Sequence, residues 1–137
     1  MNIQEVSSKF PYFYKLYLYN ISVSKDNGLL FEDLNDISDI DQMLKSLYLV
    51  SGDLDSILYH LLTCCGQILG RQYFKDGNSR TLKLFIKDYL EELGYQLEFD
   101  YNDFIMPMLF EGEEATLNDI EKFKRLTNIR PLKTKKL

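Results

Sequence analysis

The sequence is poor in the residues that most often cross-link a fold or break a helix. It contains two cysteines, three prolines, one histidine and no tryptophan among 137 residues. The cysteines, Cys64 and Cys65, are neighbours in an apolar stretch, and adjacent residues on a helix point about 100° apart and cannot readily bridge. We therefore expect two reduced thiols in the core and no disulfide-based fold.

Long apolar runs and clustered positive charges are also missing. No uninterrupted apolar stretch is long enough to span a bilayer, and no charged-then-apolar leader begins the sequence. We therefore expect a cytoplasmic protein without membrane contact, although secretion by a route that needs no leader leaves no mark in a sequence. The net charge is −5 and no basic stripe offsets it. This argues against a nucleic-acid partner, because such binders gather Lys and Arg over one face.

What is present is enough for one domain. A length of 137 residues with 45% apolar content is ordinary for a protein with a single core. We divide the sequence into an aromatic-rich N-terminal segment at 1–20, a helical domain at 21–126 and a C-terminal tail at 127–137. The sequence is compatible with an oligomer as well as with a monomer.

Two segments carry the strongest helical pattern. Apolar residues recur at helical spacing from Leu54 to Leu69 with hardly a charge, which predicts the most buried helix. A second, amphipathic helix is predicted to begin at Ser79 or Arg80. Gly94 stands where a left-handed C-terminal cap would end this helix.

The N-terminal part has weaker patterns. Residues 10–23 are ambiguous, because 17–23 alternate as a strand would while the part that begins at Pro11 fits a helix equally well. The turn signal Asn27-Gly28, between apolar residues at 21–23 and 29–31, predicts a short β-hairpin. We expect the acidic segment 32–41 to be a solvated loop, with a helix that is capped by Ser38 and Asp41 and runs to residue 49.

The part that follows Gly94 is predicted to hold two short helices. Residues 95–99 fit an extended connector better than a sheet strand. A helix is expected at 104–110, where Pro107 limits its regularity. Another opens at Thr116, with Asp119 completing a reciprocal cap.

The most informative stretch joins the two strong helices and reads Gln72-Tyr73-Phe74-Lys75-Asp76-Gly77-Asn78-Ser79-Arg80. Its polar residues gather at a helix N-terminus, where free backbone N–H groups and the positive end of the dipole favour phosphate. Gly77 lets the backbone approach an anion, Asn78 tolerates the left-handed conformation or donates its amide, and Arg80 offers two parallel donors to phosphate oxygens. Asp76 is a candidate ligand for a magnesium ion that bridges two phosphates.

This stretch resembles the signature of the Fic family, His-Pro-Phe-x-(Asp/Glu)-Gly-Asn-Gly-Arg-x-x-Arg, which joins two core helices in those proteins. The matching residues are Phe74, Asp76, Gly77, Asn78 and Arg80. An apolar helix precedes the stretch and an amphipathic one follows it, as in the family. The hairpin predicted around Asn27-Gly28 stands where Fic proteins carry a flap that holds the target segment, so the resemblance covers residues 20–126.

The resemblance implies a mainly helical Fic-type domain with a short β-hairpin flap, which transfers AMP from a nucleotide to a hydroxyl group of a target protein. Carried over by position, Asp76 binds the metal, and Gly77, Asn78 and Ser79 form the loop that receives the α- and β-phosphates. Arg80 clamps the phosphates. The implied cofactor is ATP or another nucleotide with Mg²⁺, and the implied partner is a target or regulatory protein held at the flap.

Four positions depart from the family pattern. Gln72 replaces the histidine that acts as general base, and an amide has no group that titrates near neutral pH. Lys83 stands at the position of the second nucleotide-binding arginine. It keeps the positive charge but lacks the parallel N–H donors of a guanidinium. Ser79 replaces the second glycine and Tyr73 the proline. His60 cannot replace the base, because it lies twelve residues before Gln72, about 18 Å along a helix axis.

Three functions follow as alternatives. The first is a Fic-type nucleotidyl or phosphoryl transferase slowed by the loss of its base, and the second is a pseudoenzyme that binds nucleotide through the same loop and regulates a partner. The third is an interaction domain that uses the hairpin and the acidic segment 32–41. Single residues also fit simpler interpretations, since Asp and Asn often cap a helix start, Phe74 fits core packing, and Lys75 and Lys87 fit solvated charges.

Overall fold

A computed structural model describes residues 3–24, 34–71, 73–98 and 114–132. These residues form six α-helices and one antiparallel sheet of two short strands, which confirms the prediction of a mainly helical fold. In chain order the helices are α1 (Ile3–Lys9), α2 (Pro11–Val23), α3 (Leu34–Leu47), α4 (Leu54–Arg71), α5 (Asn78–Glu92) and α6 (Leu117–Thr127). Strand β1 (Tyr95–Gln96) follows α5, and β2 (Arg130–Pro131) follows α6.

The core lies between α2, α3, α4 and α5. Helix α4 buries nine of its 18 residues and packs against α3, α5 and α6, which confirms the prediction that it is the most buried of the described helices. Helix α2 packs against α3 and α5. Cys64 and Cys65 are buried and free, as predicted. Burial raises the pKa of the Cys64 thiol to about 12, so this thiol stays protonated at neutral pH.

The segment with the ambiguous pattern is the helix α2. Pro11 stands at the start of the helix, where an N–H would have no intrahelical partner and its absence costs little. Phe13, Leu16 and Asn20 recur at helical spacing and are the buried face. Packing of this face overrides the strand propensity of the tyrosines, Ile21 and Val23, because β-propensity depends strongly on the surroundings.

The first strand of the predicted β-hairpin is therefore not formed. Residues 21–23 form the last turn of α2, and this part of the prediction is wrong. The turn at Asn27-Gly28 and the second strand at 29–31 lie outside the described residues. The boundary that we set at residue 20 falls inside α2.

Asp41 corrects the prediction of a solvated acidic loop at 32–41. Residues from Leu34 onward already belong to α3, and the side chain of Asp41 is only 4% exposed. One carboxylate oxygen of Asp41 accepts hydrogen bonds from the backbone N–H groups of Tyr12, at 2.8 Å, and Phe13, at 3.0 Å. Since a carboxylate at a helix N-terminus satisfies free donors and interacts well with the dipole, Asp41 caps α2 from α3.

The second half of the chain follows its predicted pattern closely. Helix α5 begins at Asn78, one residue before Ser79, which was the earlier of the two predicted starts. Gly94 has a φ of 95°, and its N–H donates to the carbonyl of Glu91 at 3.0 Å, as a left-handed C-terminal cap should. Helix α6 opens with the predicted capping box of Thr116 and Asp119.

The predictions for the connector at 95–99 and the helix at 104–110, both after Gly94, were not confirmed. Residues 95–96, predicted as an extended connector, form β1 and pair with β2, so the segment beyond residue 127 supplies a strand. The helix predicted at 104–110 lies outside the described residues. Among the described helices, none combines the length and the apolar character that crossing a bilayer requires.

Candidate functional site

The candidate site is the loop at residues 76–80, where α5 starts. Gly77 is the N-cap residue, with φ 73° and ψ 21° in the left-handed region. The first hydrogen bond into the helix runs from Thr81 N–H to the carbonyl of Gly77, at 2.8 Å. The N–H groups of Asn78, Ser79 and Arg80 precede this bond, and a glycine cap has no side chain to accept from them. Such N–H groups at a helix start favour an anion.

Glycine is favoured at position 77 mainly by its backbone conformation. Its positive φ is a conformation that side-chain-bearing residues rarely adopt. A Cβ at Gly77 would also lie 3.3 Å from Cβ of Ser24, which is a tight contact that a small shift could relieve. The close approach of Ser24 places the end of α2 directly against the loop.

Asn78 has a different role from the predicted one. It is the first helical residue, and the left-handed position belongs to Gly77. The oxygen and the nitrogen of its side-chain amide group both form hydrogen bonds with the backbone of Phe74. Oδ1 accepts from the N–H at 2.9 Å, and Nδ2 donates to the carbonyl at 2.8 Å. The Asn78 side chain therefore closes the loop, which leaves its backbone N–H as its contribution to an anion site.

Asn20 of α2 holds the loop from the other side. This side chain is 0% exposed, and its Nδ2 donates to the carbonyl of Asp76 at 2.7 Å and to Oγ1 of Thr81 at 3.1 Å. Its Oδ1 is buried without a hydrogen-bond partner among the described residues. An unsatisfied buried acceptor costs about 1–3 kcal/mol. The two bonds of Nδ2 fix the loop carbonyl and the first turn of α5 in one geometry.

The aromatic residues before the loop anchor it. Phe74 is 3% exposed and its ring stacks on Phe13 of α2, with centroids 6.2 Å apart, in agreement with core packing rather than chemistry. Tyr73, at the position of the family's proline, is also buried and its hydroxyl accepts from Nη1 of Arg71 at 2.8 Å. This bond raises the pKa of the Arg71 guanidinium. Both rings limit movement of the loop relative to the core.

Arg80 and Asp76 pair with each other. Nη2 of Arg80 lies 3.3 Å from Oδ1 of Asp76, and the two side chains are 49% and 42% exposed. An exposed pair of this kind contributes about 0–1 kcal/mol, whereas bidentate Arg–phosphate hydrogen bonds are charge-assisted and stronger. The pair therefore holds Arg80 beside the α5 start and gives way at little cost to a phosphate group.

Lys83 lies one turn further along α5 on the same side as Arg80. Both residues line a groove of about 360 Å³ beside the helix. Ser79 is partly buried in the first turn of α5. The predicted phosphate-binding residues from Gly77 to Lys83 are thus brought together at one end and one face of α5.

The donor set fits a magnesium nucleotide better than a protein-bound metal. Within the described ranges no three His, Cys, Asp or Glu side chains come together as a metal site. Asp76 offers one half-exposed carboxylate, which Ser24 Oγ also approaches at 3.4 Å from Oδ2. Because Mg²⁺ is usually held by one or two carboxylates together with phosphates and waters, Asp76 suits an ion that arrives with its nucleotide.

The general base concerns two residues, Gln72 and His60, and the structure describes only His60. Gln72 lies outside the described residues. His60 is exposed on α4, its ring stands edge-on to Tyr59, and it lines a separate cavity between α3 and α4 with Cys64. The expectation that His60 does not serve the loop agrees with this placement.

Asn20 is the site residue that the sequence did not reveal. Its signal was present: with Phe13 and Leu16 it occupies positions i, i+3 and i+7 of α2, so an amide sits on an otherwise apolar face. A buried amide on such a face requires hydrogen-bond partners. That signal became visible only once the segment was known to be helical.

Comparison of the chain with protein-family models, with curated protein sequences and with solved structures found no match.

Proposed function

We propose that the chain binds a nucleotide, as its Mg²⁺ complex, at the 76–80 loop, and that it transfers AMP to a protein hydroxyl group at a rate reduced by Gln72. The observation that carries this proposal is the α5 start, which opens on a left-handed glycine beside Arg80. Both the helix dipole and the guanidinium favour a phosphate at that point.

Each loop residue has a role in this proposal. Backbone N–H groups of Asn78, Ser79 and Arg80 donate hydrogen bonds to phosphate oxygens. The Arg80 side chain turns from Asp76 to the phosphates. Asp76 then becomes available to the magnesium ion that accompanies them. Asn20 and the Asn78 side chain keep the loop in shape by their bonds to backbone groups and to Thr81.

The target protein is proposed to dock beside the end of α2. Ser24, the residue that follows α2, contacts Asp76 of the loop, so the end of α2 lies next to the proposed phosphates. A hydroxyl held there would be near the nucleotide. Gln72 has no basic group to remove its proton, and the loss of a positioned base lowers a rate by about 10²–10⁴-fold.

The alternative function is nucleotide binding without transfer, in which the bound state regulates a partner protein. Gln72 favours it, because an amide at the position of the general base leaves phosphate binding intact and removes proton transfer. An interaction domain that uses the acidic segment 32–41 is less well supported, since Asp41 is buried and caps α2.

Nucleotide binding is tested by calorimetry with ATP in the presence of Mg²⁺. We expect Arg80→Ala to weaken ATP binding by about 10–100-fold, because a hydrogen bond to a charged group contributes about 1.5–3 kcal/mol. Arg125→Ala is the matched control, since Arg125 is exposed on α6, away from the loop. A wild-type chain that does not bind ATP, or an Arg80→Ala variant that binds it equally well, would refute the proposed site.

Labelled ATP separates the two functions. Incorporation of label into the chain itself or into lysate proteins supports a transferase. ATP binding without incorporation supports the regulatory alternative.

A further inference from the structure

The groove beside α5 adjoins the 76–80 loop. It has a volume of about 360 Å³, which lies at the lower end of the range for small-molecule pockets. Its walls combine three cationic and three aliphatic side chains, namely Arg80, Lys83, Lys87, Val23, Leu84 and Leu97. Arg80 belongs both to the groove and to the loop, and Val23 directly precedes the Ser24 that contacts Asp76. Arg80 therefore links the groove to the start of α5.

The charge of the groove is opposite to that of the chain. The sequence carries a net charge of −5, yet the groove has three cations and a single carboxylate, that of Glu98. Arg130 lies 3.6 Å from this carboxylate and offsets its charge. Arg80 and Lys87 have exposed partners in Asp76, at 3.3 Å, and Glu91, at 3.7 Å, and exposed pairs of this kind are weak. Because the groove concentrates positive charge, it is complementary to an anion.

The aliphatic walls add a second requirement. Leu97 is only 5% exposed, and Val23 and Leu84 are partly buried. Free inorganic phosphate is satisfied by donors and charges alone and gains nothing from aliphatic contacts. A ligand that fills the groove must therefore carry an organic body as well as negative charge.

We infer that the loop and the groove form one continuous site for an organic triphosphate ester. Its phosphates lie at the loop, Arg80 and Lys83, and its nucleoside lies against Val23, Leu84 and Leu97. This inference rests on the proposed function, since both place phosphate at the α5 start. It goes further by locating the part of the ligand that is not phosphate.

The test compares ATP with inorganic triphosphate, each with Mg²⁺, by calorimetry. We expect the wild-type chain to bind ATP at least about tenfold more tightly, because the nucleoside removes aliphatic surface from water. Leu84→Asn is expected to weaken ATP binding by about tenfold and to leave triphosphate binding unchanged. The matched control is Leu117→Asn, at a leucine that is 70% exposed on α6.

A second variant keeps the test decisive if Leu84→Asn does not fold. Val23→Thr alters the opposite wall of the groove with little change in volume, at the last residue of α2, and should weaken ATP binding by about threefold. Thermal melting followed by circular dichroism establishes that each variant is folded. If Leu84→Asn does not fold, Val23→Thr decides the question alone.

The possible failures are distinguishable. Equal affinity of the wild-type chain for ATP and triphosphate, or equal loss of both in the folded variants, overturns the groove inference and leaves phosphate binding at the loop standing. Absence of binding for both probes overturns the proposed function and the inference with it.

Discussion

The starts of α5 and α6 differ in whether a side chain of the N-cap residue accepts hydrogen bonds from the first backbone N–H groups of the helix. Every helix begins with N–H groups that have no intrahelical partner. At α6, the Thr116 hydroxyl accepts from the N–H of Asp119, at 3.2 Å, and the Asp119 carboxylate accepts from the N–H of Thr116, at 2.8 Å. At α5, the N-cap is Gly77, which has no side chain to accept anything.

Two other helix starts resemble α6. Asp41 accepts from the backbone of α2, and the Asp53 carboxylate accepts from the N–H of Ser56 at the start of α4, at 2.9 Å. This chain supplies carboxylates to α2, α4 and α6 from within, whereas the N-cap of α5, Gly77, makes no side-chain cap hydrogen bond, and we propose this start as the position for an anion from outside. The comparison predicts that changes at α5 alter ligand binding, whereas changes at the capped starts alter stability.

The largest expected effect comes from introducing a histidine at residue 72, where the proposed transferase lacks a general base. We expect Gln72→His to raise transfer of label from ATP to protein by about 10²–10⁴-fold, because a positioned general base contributes this much. Transfer is measured by incorporation of labelled AMP into the chain or into lysate proteins.

Two variants control this experiment. Gln42→His introduces a histidine at an exposed position of α3 and should change nothing. Combining Gln72→His with Arg80→Ala should reduce the gain, since the phosphates would be held less tightly. If Gln72→His labels no more protein than Gln42→His, the account of Gln72 as the defect is wrong.

The next effect concerns the cap of α2. We expect Asp41→Ala to lower the free energy of unfolding by about 2–3 kcal/mol, because two backbone donors lose a buried charged acceptor. The midpoint of urea unfolding measures the loss. Asp39→Ala is the control, as Asp39 is exposed on the same helix. A loss no greater than that of Asp39→Ala would show that the α2 start does not depend on Asp41.

Local patterns predicted the elements whose signals are local. The apolar period of α4, the amphipathic period of α5, the Gly94 cap and the Thr116 box each lie within a few residues of what they specify. All four agree with the structure. The loop was found in the same way, because the residues from Asp76 to Arg80 are contiguous.

The features that sequence reasoning missed depend on distant partners. Asn20 bonds to Asp76, 56 residues away, and Asp41 bonds to Phe13, 28 residues away. No spacing rule connects such pairs before the helices are packed. The groove was missed for the same reason, since its walls come from α2, α5 and the segment after β1. The alternating apolar pattern at 17–23 also favoured a strand until packing of α2 against α3 and α5 was known.

The smallest expected effect is also the one that tests the comparison most directly. Thr116→Ala removes one half of the α6 capping box and should lower the free energy of unfolding by about 1 kcal/mol, as loss of a Thr cap usually does. Thr116→Ser keeps the hydroxyl and should retain most of that stability. Thermal or urea unfolding measures both variants.

ATP affinity should be unchanged in either variant, because the Thr116 hydroxyl accepts a hydrogen bond from the chain's own N–H of Asp119. If Thr116→Ala weakened ATP binding as much as Arg80→Ala does, helix starts with and without an internal cap would not differ in function, and the reason for assigning the phosphate to α5 would be lost.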